Sequence, residues 1–160
     1  MSLSVSFRAP PHVGHVEHVA RFVSELCRTY ISDEDALSRL QLAAYELMEN
    51  VVKYTSKGDG EFQLQLDFDG PGCRIVLSTQ NMAEDEHRQD LEARMTRLSS
   101  ADDPLSHYDS EIQASARRPF GSGLGLARIR AEGEMVVDYS IDGEKVVVRV
   151  EAAFLTKGQP

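Results

Sequence analysis

Glu46-Leu47-Met48-Glu49-Asn50-Val51-Val52-Lys53-Tyr54 closes a run of apolar residues that starts near Glu34 and recurs at spacings of three and four. Leu37, Leu40, Ala44, Leu47, Met48, Val51 and Val52 share one side of a 3.6-residue helix, and Glu46, Asn50 and Lys53 fall on the other. Positions 46 and 50 are one turn apart, so a carboxylate and an amide address the same ligand. Magnesium takes oxygen ligands and keeps several waters, so the Asn50 oxygen together with phosphate oxygens suffices to hold it. Glu46 then sits near a terminal phosphate as a general base, and Lys53 is within reach of a phosphate. The competing reading is an ordinary solvated, charged helix face.

A second stretch tips that balance. Gly121-Ser122-Gly123-Leu124-Gly125-Leu126 places glycines at alternate positions just before a further helix. Backbone without Cβ atoms can approach a phosphate chain closely, and amides ahead of a helix favour anions. Leu124 and Leu126 anchor the helix in the core. The pattern is neither G-x-G-x-x-G nor a P-loop ending in Lys-Ser/Thr, so neither a dinucleotide fold nor a Walker site is indicated. Taken alone it is equally a helix cap or a packing turn.

Outward from these motifs the chain alternates elements cleanly. Leu3 to Arg8 reads as a strand ended by Pro10-Pro11, and about Val13 to Ile31 as an amphipathic helix. Ser32 and Asp33 can cap the helix from about Glu34 to Tyr54. Glu61 to Phe68 and Cys73 to Ser78 form a hairpin through Asp69-Gly70-Pro71-Gly72, and Lys57 to Gly60 reads as the preceding loop. Residues 84 to 120 are polar and helix-prone, with weak stripes at Leu91, Met95, Leu98 and at Leu105, Tyr108, Ile112, Ala116. A helix from Leu124 to about Ala131 and a hairpin of Met135 to Ile141 with Lys145 to Ala152 complete the chain. The order predicts an α+β two-layer sandwich: a mixed, mainly antiparallel sheet with helices on one face.

Composition narrows the function. With 160 residues and 41% apolar content, one domain with its own core is expected across 1–160. A formal charge of −9 disfavours nucleic acid and anionic membrane as partners. Cys27 and Cys73 imply neither a disulfide framework nor a zinc site and read as buried thiols. No apolar run has signal-peptide or membrane-spanning length, so a cytoplasmic location is expected. The opening strand, with Leu3, Val5 and Phe7, suits either an interior position or the edge of a homodimer.

In combination, the two motifs resemble the N box and second glycine box of the GHKL (Bergerat-fold) superfamily of gyrase, Hsp90, histidine kinases and the small anti-sigma-factor kinases. The length resembles the stand-alone anti-sigma-factor type. The run Gly121 to Gly133, with the helical insert before it, looks most like SiaB-type protein kinases. The resemblance implies ATP and magnesium as cofactors, Glu46 as general base and Asn50 as magnesium ligand. It places Lys53, Tyr54, Gly121, Ser122, Gly123, Leu124, Gly125 and Leu126 around the nucleotide, and residues 84 to 120 as its lid. Position 54 would more usually be His. Arg117 and Arg118 lie where a closing lid would bring them to phosphate, or are simply a solvated basic pair.

One departure bears on affinity. The superfamily's first glycine box, D-x-G-x-G, has no counterpart in Ile75 to Ala83, so Thr79 or Asn81 would replace the Asp that accepts from the adenine amino group. A bond to a charged group contributes about 1.5–3 kcal/mol, and its loss weakens binding roughly ten- to over a hundredfold. Two readings follow from the resemblance. One is an ATP-Mg-dependent serine/threonine kinase acting on a small STAS-like antagonist in a bacterial partner-switching pathway. The other is a non-catalytic module that binds an antagonist or sigma factor and has weakened or lost ATP binding.

Overall fold

The computed structural model describes residues 1–115 and 124–158. Among the described residues ten elements run β1 (Ser2–Ala9), α1 (Gly14–Arg28), α2 (Glu34–Tyr54), β2 (Lys57–Asp69), β3 (Gly72–Met82), α3 (Asp85–Ser100), α4 (Pro104–Ser115), α5 (Gly125–Ala131), β4 (Val136–Asp142) and β5 (Lys145–Leu155). The strands form one sheet in the order β1-β2-β3-β5-β4, and every neighbouring pair is antiparallel. This is the expected α+β sandwich, with its sheet antiparallel throughout.

Alternation decides which face meets the helices. Leu3, Val5 and Phe7 lie opposite Leu66, Leu64 and Phe62, and Cys73, Ile75 and Leu77 continue that face on β3. It packs on α1 and α2 through Val23, Cys27, Leu37, Leu40, Ala44 and Leu47, all essentially without solvent exposure. The opposite face carries charge: Arg74 pairs with Glu151, and Arg149 reaches the same carboxylate at 2.9 Å. Both cysteines are buried and free, as expected. Burial pushes the Cys27 thiol up to about 12 and the Cys73 thiol to about 11.

Two boundaries differ from the expectation. β3 extends four residues beyond Ser78, because Thr79 and Asn81 continue the inward alternation although they are polar. β2 starts at Lys57 rather than Glu61, with a register shift between those residues. β1 takes an edge position. In the insert, Met95 and Leu98 of α3 are buried as the first stripe requires. The second stripe fails: Leu105 and Ile112 are exposed and α4 buries no residue completely, with Tyr108 half-buried.

Candidate functional site

The site starts from the cap of α2. The Asp33 carboxylate accepts from the Asp35 and Ala36 amides at 3.0 and 3.3 Å, which fixes where the helix begins and hence which way each later side chain points. The buried apolar face of α2 locks its rotation against the sheet. In that setting Asn50 and Tyr54, one turn apart, line a pocket closed by Thr79 and Asn81 of β3, Val146 and Val148 of β5, and Gly125 and Leu126 of α5. The cavity these residues enclose is about 50 Å³, room for a few waters and smaller than a typical small-molecule site. Thr79 and Asn81 are buried, so the long β3 brings two hydrogen-bonding groups to the pocket floor. Among the described residues no side-chain partner holds the Asn50 amide.

The fourth wall is α3. His87, Asp90, Leu91 and Arg94 line the pocket, and the His87 ring lies 4.6 Å from that of Tyr54. Arg94 pairs with Asp90 at 2.6 Å, while its buried Nε has no hydrogen-bond acceptor among the described residues. Sequence reasoning followed only the apolar residues of this helix, Leu91 among them, and missed His87, Asp90 and Arg94. The spacing of all four, i, i+3, i+4 and i+7, is itself a helical stripe, and it was the available signal.

Glu46 departs from the expected exposed face: it is only 7% exposed, because α5 covers it. Arg128 Nη1 donates to Glu46 Oε1 at 3.0 Å. A Cβ on Gly125 would stand 2.7 Å from Glu46 Oε2, so a larger residue there would push the carboxylate from its place. Burial raises the Glu46 carboxyl above its ordinary range, and the Arg128 hydrogen bond opposes that rise without cancelling it. Arg128 was not foreseen, since nothing along the chain ties position 128 to position 46.

The other expected site residues divide. Asn50, Tyr54, Thr79, Asn81, Gly125 and Leu126 meet at the pocket. Lys53 does not line it: its ammonium lies 3.5 Å from Glu49 on the outer side of α2. Leu124 precedes α5 as its N-terminal flank and is not among the pocket's lining residues. Gly121, Ser122 and Gly123, with Ala116, Arg117 and Arg118, lie outside the described residues. The acidic residues Asp85 and Glu86 form the first turn of α3, where negative charge suits the helix dipole.

The sequence profile of the histidine kinase-like ATPase domain matches residues 9–151. The chain belongs to that family. A chain in the crystal structure of the SiaB–SiaC complex from Pseudomonas aeruginosa is similar in fold, with a TM-score of 0.65 at 13% identity, over 94% of this chain and 89% of that one. No curated protein sequence matches. The family is one of ATPases, and the pocket's groups are of the chemical kinds a nucleotide needs. Ala83, Leu91, Leu126, Val146 and Val148 offer an apolar slot for a base, Thr79 and Asn81 offer polar atoms at its edge, and Asn50 offers an unengaged amide oxygen for a hard cation.

Proposed function

We propose that this protein is a cytoplasmic, ATP-Mg-dependent protein kinase of the anti-sigma-factor type that phosphorylates a serine or threonine of a small STAS-like partner. The observation that carries the reading is the joint placement of Asn50 in the pocket and Glu46 one turn earlier, under the side-chain-free Gly125 that borders it. The similarity in fold to a chain of the SiaB–SiaC complex supports a protein partner.

In this reading ATP-Mg supplies the transferable phosphoryl group. The apolar slot receives the base, and Thr79 and Asn81 replace a carboxylate as acceptors from its amino group. Asn50 contributes one oxygen to the cation. Glu46 would take the proton from the partner's hydroxyl as that oxygen bonds to the γ-phosphorus and ADP leaves, and its elevated pKa would bring its basicity closer to the working pH.

Isothermal titration with ATP, with and without magnesium, tests the first half. The expected result is magnesium-dependent micromolar binding that Asn50→Ala loses. Transfer of radiolabelled phosphate to a STAS-like candidate tests the second, and Glu46→Ala should abolish transfer while leaving partner binding largely intact. The pocket floor also motivates the rival reading, because it presents Thr79 and Asn81 where a carboxylate would grip adenine. Absence of ATP binding to millimolar concentration, with and without the partner, would favour the non-catalytic binding module.

A further inference from the structure

One short helix, α5, bonds one oxygen of the Glu46 carboxylate and lies close against the other. Oε1 accepts from Arg128 Nη1 at 3.0 Å, and Oε2 faces the Gly125 backbone across a gap too small for a Cβ. Gly125 and Arg128 are three residues apart on α5, so both contacts come from one helical face. The guanidinium is itself held: its Nε donates to Glu132 Oε2 at 2.8 Å, one turn further on. The guanidinium thus bridges two carboxylates, the buried Glu46 and the exposed Glu132, in fork geometry. Glu49 and Lys53, the other charged residues near Glu46 on α2, pair with each other instead.

We infer that Arg128 is the positioning residue for Glu46: it pins Oε1 and so holds Oε2 against Gly125, the residue through which Glu46 adjoins the pocket. Neither the family profile nor the motif at residues 46–54 assigns it a role. The inference rests on Glu46 being the general base, but the clamp itself is a structural property that can be read without turnover. Arg128 lies about 40% exposed on the outer side and does not line the pocket, so its removal is not expected to disturb nucleotide contacts.

The test uses Arg128→Met, which keeps the stem and removes the fork, and Arg128→Lys, which keeps one donor. With saturating ATP-Mg and partner, Arg128→Met should lower kcat about ten- to a hundredfold while KM and the ATP-Mg Kd stay within about threefold, since loss of orientation acts on the reacting step. Arg128→Lys should recover kcat to within about fivefold. A kcat for Arg128→Met within twofold of the wild type, or a KM and Kd that rise in step with the loss, would overturn the assignment. A thermal-unfolding cycle with Arg128→Met, Glu46→Gln and the double variant reads the clamp independently. Arg128→Met should lower Tm by about 5 °C or more by leaving a buried carboxylate unpaired, and adding Glu46→Gln should restore part of the loss. A double variant no more stable than Arg128→Met refutes the clamp. If Arg128→Met does not fold, the double variant and Arg128→Lys still decide. A wild type that shows the coupling but never turns over ATP sinks the kinase reading and leaves the clamp standing.

Discussion

Helices α2 and α3 form opposite walls of the same pocket, yet they are held there by different means. α2 spans 21 residues and buries nine of them, with Leu37, Leu40, Leu47 and Ala44 at 1% exposure or less. α3 spans 16 residues and buries Met95 and Leu98. Its C-terminal end is tied down chiefly by Arg130 of α5, which donates to the carbonyls of Leu98 and Ala101. The chemistry-bearing residues Glu46 and Asn50 therefore stand on an element that the core immobilises. His87, Asp90 and Arg94 stand on one held by a few contacts and able to open at low cost. A site that must hold a base still while admitting and releasing a ligand calls for that asymmetry.

The comparison is broken most directly by truncating one core leucine on each helix. Leu47→Ala should cost about 2–5 kcal/mol in global stability and lower the urea midpoint for the whole chain. Leu98→Ala should fall at or below the low end of that range, because a peripheral helix relaxes around the cavity. Its main effect should be faster amide exchange in residues 85–100 with α2 protection unchanged. Equal, global losses from both would show that α3 belongs to the same cooperative unit as α2. Asp33→Ala sharpens the picture at the other end of α2: losing the cap should cost about 1 kcal/mol, with faster exchange confined to the first turn.

The smallest effect concerns pH. The folded Glu46 carboxyl titrates above its unfolded value, so the folded state binds the proton more tightly. That contribution is fully present below the unfolded pKa and is lost as pH rises through the folded one. Glu46→Gln removes the dependence. Its stability relative to the wild type should therefore rise steadily as urea unfolding is repeated from acid to neutral pH. A relative stability that falls over the same range would mean that Arg128 outweighs burial.

How much of this was legible depended on whether local chemistry and tertiary demand agreed. The bounds of α2 were readable because Asp33 is a strong cap and the apolar period runs without a break to Tyr54. The pairing of β2 with β3 followed from the glycine turn between two alternating runs. The last residues of β3 were not readable, since Thr79 and Asn81 face inward toward a pocket rather than toward apolar core. At residues 105–112 the spacing suggested a buried stripe, but α4 lies on the rim, where Leu105 and Ile112 stay in solvent. Of the predicted residues on α2, Asn50 and Tyr54 reached the pocket, while Lys53, about 100° of helix round from Tyr54 and on the far side of Asn50 from it, turned to Glu49 instead.

The sequence by itself determined the element order, the helix that carries Glu46 and Asn50, and the family to which both belong, because periodicity, caps and turn residues act within a few positions. Only the tertiary structure decided that Glu46 is buried, that Arg128 bonds its carboxylate beside Gly125, and that α3 supplies the pocket's remaining wall. Those contacts join positions dozens of residues apart, 82 in the case of Arg128 and Glu46. They arise from how helices stack on a sheet, and no local pattern encodes that distance.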